Sequence, residues 1–275
     1  MELHVTPAAV SHQIKRLEEY LHRPLFDRGN RNVQLTAVGD ELATSLRVLF
    51  AGLDTAILRA ASPGKQQVRV STMASLAAKW LVPRLHRFQE KHPDIGVRVE
   101  TGDHHVNFAY EPVDIAIRYG PGRYRGLHVE ALMGAEAFPV CSPALLADSR
   151  RPLRTPEDLR RHTLLHDESA IDRPGVPGWP AWLHAVGAKK VDGTRGPVFA
   201  SIHLAQEAAL AGHGVALGVE PLVLGDLSSG RLVRPFDFAH GNAYAFWIVS
   251  HRARVDDPAL RMFRHWLLEE ATSNA

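Results

Sequence analysis

Along the first sixty residues, apolar side chains return every three or four positions, the period of a helix buried along one side. Val10, Ile14, Leu17 and Leu21 form one such stripe. Thr6-Pro7 ahead of it suits a helix start, because the hydroxyl can cap free N–H groups and proline at the first helical position gives up no hydrogen bond. The spacing predicts a helix from Thr6 to about Leu21. Away from the stripe lie Ala8, Ser11, His12 and Lys15, with Gln13 and Arg16 further round. These small or hydrogen-bonding side chains suit either solvent or a closely approaching partner. Pro24 to Thr36 reads as two short extended pieces about Gly29-Asn30, a hairpin with Arg28 and Arg31 near its tip. Leu35, Val38, Leu42, Leu46, Leu49, Leu53, Ile57 and Ala60 then predict a helix of roughly 25 residues, ~37 Å long. That is more than a small hairpin can cover, so its stripe calls for a second copy, with docking on its own chain as the alternative. Ser62-Pro63-Gly64-Lys65-Gln66 ends it as a hinge.

Beyond residue 66 strand-like and helix-like runs alternate, as in an α/β fold. Strands are expected at 68–71, 96–100 and 114–120, with a helix over 74–91 that breaks near Pro83. A second unit starts near Phe138 and holds a strand at Leu164-Leu165-His166, a helix from Trp179 to Val186, and a helix after Ser201 that stops at Gly212. A strand at 245–249 and a helix at 260–269 close the chain. Ser71-Thr72 and Ser201 stand where a strand hands over to a helix. Each is a plain N-cap or, if the two junctions face each other, a seat for a carboxylate or another acceptor in a ligand cleft. Arg118, Asn107 and Phe246 are further candidates for the wall of that cleft.

With 275 residues, 45% hydrophobic and 23% charged, the chain has the balance of a globular protein and the length for more than one folding unit. No apolar run reaches the ~20 residues of a membrane span, and no signal peptide is evident, so a cytoplasmic protein with no membrane partner is expected. Cys141 stands alone, which predicts neither a disulfide nor a zinc cluster. The net charge of +2 does not predict nucleic acid, since seven basic residues in positions 1–62 face seven acidic ones. Any DNA contact must follow from where the basic side chains sit. The sixteen histidines are scattered without a metal-ligand pairing. Gly120–Gly126 lacks dinucleotide-loop spacing, and neither a phosphate loop nor a nucleophile elbow appears. No enzyme and no cofactor is expected.

Taken together, Val5-Thr6-Pro7-Ala8-Ala9-Val10-Ser11-His12-Gln13-Ile14-Lys15-Arg16-Leu17-Glu18, Pro24-Leu25-Phe26-Asp27-Arg28 and Leu35-Thr36-Ala37-Val38-Gly39 resemble the DNA-binding segment of LysR-type transcriptional regulators. The rest resembles their effector domain, a two-lobed fold similar to type 2 periplasmic solute-binding proteins. Ile117-Arg118-Tyr119-Gly120, Trp179-Pro180-Ala181-Trp182-Leu183 and Gly212-His213-Gly214-Val215-Ala216-Leu217 are most similar to the branch of glycine-cleavage and β-lactamase regulators. The resemblance implies a winged helix-turn-helix with a dimerising linker helix over 1–62 and an effector domain over 66–275. Lobe one would hold about 66–137 and 243–275, and lobe two about 138–242. It implies that Thr6, Pro7, Ala8, Ser11, His12, Gln13, Lys15 and Arg16 enter the major groove of double-stranded promoter DNA, with Arg28 and Arg31 at the backbone or minor groove. Ser71, Thr72, Asn107, Arg118, Ser201 and Phe246 would meet a small-molecule effector, a carboxylate among the options. A homodimer or homotetramer follows, with RNA polymerase as a further partner. Family members carry a helix and most of another ahead of Met1-Glu2-Leu3-His4, so the start codon is read as placed too far downstream. The alternative is a shortened ligand-sensing, dimerising form with little DNA binding of its own.

Overall fold

The computed structural model describes residues 6–28, 33–61, 66–108, 111–171, 175–241 and 243–273. The Gly29-Asn30 turn, Arg31 and hinge residues 62–65 lie outside them. Two compact units meet in the sequence at residues 63 and 64.

In the first unit, helix α1 runs over Pro7–Leu21, with the Thr6 hydroxyl accepting the Ala9 N–H at 3.3 Å. His22 ends it in the left-handed conformation, φ 51°. Strands β1 (Phe26–Arg28) and β2 (Val33–Leu35) pair antiparallel, Phe26 opposite Leu35. Helix α2 covers Ala37–Ala61. Two side chains fasten these pieces. Glu18 Oε1 accepts the N–H groups of Leu25 (2.7 Å) and Phe26 (3.1 Å), which ties α1 to the hairpin. Thr36 donates its hydroxyl to Pro24 O (2.8 Å), accepts the Gly39 N–H (3.0 Å) and so starts α2 against the same corner. Gly39 packs so tightly there that a Cβ would lie 2.9 Å from the carbonyl carbon of Leu25 and closer still to its oxygen.

The second unit opens with β3 (Gln66–Thr72) and a helical stretch of four pieces: α3 (Ala74–Leu76), a π turn (Ala77–Leu81), a 3-10 turn (Val82–Arg84) and α4 (Leu85–Lys91). The expected break at Pro83 is therefore a tightened turn, preceded by a widened one, since proline offers no N–H to an α ladder. Then come β4 (Ile95–Thr101), β5 (Ile115–Gly120), β6 (His128–Met133), β7 (Ala137–Val140), α5 (Pro143–Ala147), β8 (Leu164–Asp167), α6 (Trp179–Ala185) and β9 (Val198–Phe199). The chain finishes with α7 (Ile202–Leu210), β10 (Val215–Val219), α8 (Glu220–Ser228), β11 (Ala245–Ser250) and α9 (Pro258–Thr272). Neither β6 nor α8 stands out in the sequence, because His128–Met133 does not alternate cleanly and α8 has no clear apolar stripe.

Two sheets result, in the orders β4-β3-β5-β11-β6 and β7-β10-β8-β9. In the first, β3 is parallel to β4 and β5, while β11 is antiparallel to β5 and β6. A bulge in β11 falls between Phe246 and Trp247 on the β6 side. One core gathers Val68, Val70, Ile115, Ile117 and Ile248 of the first sheet with Phe88, Phe263 and Trp266, and Ile202, Val219 and Leu222 from the other lobe join it. The second lobe keeps its own core around Trp179, Trp182 and Phe236.

Candidate functional site

Every described side chain of α1 is exposed or half-buried. Ala8, Ser11, His12, Gln13, Lys15 and Arg16 are all exposed, with Thr6 and Pro7 at the helix start. Lys15 approaches Glu19 at 3.9 Å, a loose surface pair that solvent leaves weak. Arg28 ends β1, two residues after Phe26, whose N–H Glu18 accepts. On α2, Leu46, Leu49, Phe50, Leu53 and Ile57 are exposed apolar side chains on a single helix.

In the second unit a cleft of about 620 Å³ opens between the sheets. Met73, Tyr119 and Phe246 of lobe one form one side, and Leu165, Trp179, Val198, Ile202 and Leu217 of lobe two form the other. Tyr119 and Phe246 sit opposite each other in the β5–β11 register, ring centroids 5.2 Å apart. The polar lining is sparse. His166 is nearly buried and donates through Nε2 to Arg195 O (3.1 Å), and Asp167 accepts both the N–H and the hydroxyl of Ser169 (3.0 and 2.8 Å). Thr194 gives its hydroxyl to Asp192 (2.7 Å).

The residues expected at a ligand divide by strand alternation. Phe246 lines the cleft. Thr72 shares the face of Val68 and Val70, is fully buried, and its hydroxyl has no hydrogen-bond partner in the structure. It stands next to Met73 in the lining, as Ser201 stands next to Ile202, so the two junctions flank the cleft without facing into it. Ser201 occupies the N-cap position of α7 and makes no side-chain cap. Ser71 and Arg118 lie on the opposite sheet face. There the Arg118 guanidinium donates to Ser71 O (2.8 Å), Ser71 Oγ (2.7 Å), Ile117 O (3.1 Å) and His104 O (3.3 Å). Asn107 is exposed in the loop after β4.

Sequence reading missed three features of this unit. His166 and Asp167 close a parallel strand at its carboxyl end, the usual place for a ligand in an open α/β sheet, which was the available signal. Gln206 on α7 is fully buried, and neither end of its amide has a hydrogen-bond partner in the structure. Lys79, in the π turn of lobe one, reaches Glu207 (2.9 Å) and the buried Asp226 (3.1 Å) of lobe two. The hydrogen bond from Lys79 holds the Glu207 carboxyl below the usual carboxylate range. A depressed carboxylate contributes stability that is present above its unfolded pKa and lost as pH falls through the folded one. The link is thus intact at neutral pH and fails only in acid. Lys79→Met should lower the melting temperature at neutral pH and flatten its fall in acid, and equal melting of both proteins at neutral pH would show that the link contributes nothing.

Burial pushes the Cys141 thiol up to about 12, so it is inert at neutral pH. Among the described residues no group of histidine, cysteine and carboxylate side chains could hold a metal ion, and no helix is long and apolar enough to cross a membrane.

Residues 1–40 match the family described as bacterial regulatory helix-turn-helix protein, lysR family, and residues 61–272 match the LysR substrate binding domain. The glycine cleavage system transcriptional activator of Escherichia coli K12 is 38% identical over 273 residues, covering 99% of this chain and 87% of that protein. Among solved structures, the effector domain of the transcriptional regulator AmpR of Pseudomonas aeruginosa is similar with a TM-score of 0.63 and 34% identity, over 76% of this chain and 98% of that one. CrgA, a LysR-type transcriptional regulator from Neisseria meningitidis, is similar along 98% of this chain and 91% of its own, with a TM-score of 0.59 and 25% identity. A helix-turn-helix segment with its hairpin and long helix, followed by two sheets around a lined cleft, is matched along both parts, and the chain belongs to the LysR family of transcriptional regulators.

Proposed function

We propose that the protein regulates transcription by laying α1 in the major groove of double-stranded promoter DNA and answering a small molecule held between its lobes. The observation that carries this reading is the exposed row Ala8, Ser11, His12, Gln13, Lys15 and Arg16 on a helix capped by Thr6-Pro7 and fastened to its hairpin by Glu18. Small residues let the helix backbone come close, and the polar ones can meet base edges and phosphates. Arg28 and Arg31 of the hairpin meet the sugar–phosphate backbone or minor groove. The exposed stripe of α2 pairs with a second copy, giving a homodimer or a homotetramer. In this reading the chain is a regulator rather than an enzyme, works in the cytoplasm, and brings RNA polymerase to its promoter. The ligand rests against Phe246, with the Thr72 and Ser201 junctions flanking the cleft beside the lining residues Met73 and Ile202, while Ser71 and Arg118 support lobe one from behind.

Fluorescence anisotropy of a mixed-sequence duplex, titrated with the full chain at several salt concentrations, tests the head. Lys15→Ala and Arg28→Ala should each lower the slope of log K against log salt by about one. Gln13→Ala should instead change the sequences enriched from a random pool. A parent-like slope in both cationic variants would remove those residues from the interface.

A further inference from the structure

We infer that lobe one carries an anion seat of its own, on the sheet face turned away from the cleft, where Arg123 and Arg125 hold a small aromatic carboxylate. The seat and the cleft share no lining residue, so this assignment stands apart from the reading of the cleft.

Strand alternation and one loop build it. In the β5–β11 register Ala116 is opposite Val249 and Arg118 opposite Trp247, and these four share the face away from Tyr119 and Phe246. The loop after β5, Gly120 to Gly126, is laid on that face. Trp247 Nε1 donates to Gly120 O at 2.8 Å, and a Cβ on Gly122 would lie 2.5 Å from the Trp247 ring. Gly122 and Gly126 take the left-handed backbone, φ 75° and 77°, which glycine adopts without strain. Between them Arg123, Tyr124 and Arg125 all line a hollow of about 220 Å³. Val106, Phe108 and Val249 give it an apolar wall, and the rings of His105 and Tyr124 meet edge to face with centroids 6.2 Å apart. Arg123 and Arg125 are exposed, and neither has a hydrogen-bond or ion-pair partner among the described residues. Asp103, Glu111 and Asp114, the acidic residues between β4 and β5, do not line the hollow. Ala109 and Tyr110, outside the described residues, carry no charge at neutral pH. Arg118 closes the base, but its guanidinium is engaged by Ser71, Ile117 and His104, so Arg123 and Arg125 are the anchors. Guanidinium forks take carboxylate oxygens in pairs, and an apolar wall gains from covering a flat ring. The volume falls below the ~300 Å³ at which pockets for drug-sized ligands begin, which limits the body to about one ring.

Two probes of one shape, benzoate and its uncharged twin benzamide, titrated calorimetrically into the full chain, test this. Benzoate should bind at least about tenfold more tightly than benzamide, the gain of a charge-assisted pair. The double variant Arg123→Gln/Arg125→Gln should weaken benzoate by about tenfold or more while its melting temperature and its benzamide affinity stay at the parent's. Arg123→Lys/Arg125→Lys keeps the charge and loses the forks, so it should fall between the two, and it stands in should the glutamine variant melt early. Lys189→Gln/Lys190→Gln removes the same charge from exposed positions of lobe two and should leave benzoate binding unchanged. If the cleft also takes benzoate, the parent binds two per chain and the glutamine variant of the arginines binds one. Four results would each overturn the seat: no benzoate binding at millimolar concentration, benzamide binding as tightly, benzoate binding untouched by loss of the two arginines, or an equal loss in the Lys189/Lys190 control.

Discussion

Gly39→Ala is expected to unfold the first unit while leaving the second intact. The position lies where α2 starts against Leu25, the buried apolar anchor of the hairpin corner. A methyl group there would overlap the Leu25 carbonyl, which is main chain and already accepts the Thr36 N–H at 3.0 Å, so no rotamer change can make room. Relief requires that α2 draw back from the corner, and this breaks the Thr36 bridge to Pro24 and Gly39 together. Overpacking combined with loss of a helix cap should cost about 2–5 kcal/mol, as much as a small unit of this kind can hold. DNA binding should fall below detection. Limited proteolysis should cut within residues 6–61 of the variant, and calorimetry should show the transition of the second unit unmoved. Gly39→Ala protein that binds DNA like the parent would mean the corner is far more yielding than its geometry indicates.

Arg118→Met should have the second large effect, and on stability rather than on ligand affinity. Four hydrogen bonds from one buried guanidinium gather β3, β5 and the loop at His104. Methionine fills the volume but leaves the Ser71 and Ile117 carbonyls without this donor, in a place where water enters poorly. Each orphaned acceptor costs ~1–3 kcal/mol, so a loss of about 3–5 kcal/mol is expected, or on the order of 10 °C in the melting temperature of a unit this size. Ser71→Ala removes one bond of the four and should cost about 1 kcal/mol. Arg118→Lys, with its charge kept and its fork lost, should fall between the two. A melting temperature for Arg118→Met within a degree or two of the parent, together with weakened probe binding, would return Arg118 to the ligand.

The parts of this protein that could be read in the sequence are those governed by neighbours along the chain. Thr6-Pro7, the stripe from Val10 to Leu21 and the long apolar repeat after Leu35 locate α1 and α2 within a residue, because capping and helical period are local. Strand alternation pairs Ser71 with Arg118 and Thr72 with Phe246 as soon as the sheet order is known, yet nothing local says which face looks into a cleft. That depends on β11 entering the sheet between β5 and β6. The wall contributed by Leu165, Trp179 and Val198 comes from a strand end, a helix start and an edge strand far apart in sequence, so no spacing could announce it. Lys79 meets Glu207 and Asp226 across more than a hundred positions, and its place in a π turn has no pattern of its own.

The position of β11 also governs how the chain can be made. Strands β5 and β6 are joined in the finished sheet only through residues 245–250, which leave the ribosome after the whole of lobe two. During synthesis lobe two can close on itself, while lobe one waits with β5 exposing an unpaired edge from residue 120, and β6 from residue 133, until residue 250 has emerged. At the usual pace of 5–20 residues per second, this leaves an interval on the order of ten seconds in which those edges are open to other chains. A nascent protein halted before residue 245 therefore holds a formed second lobe and an unfinished first one, and its yield in cells depends on how well that interval is guarded.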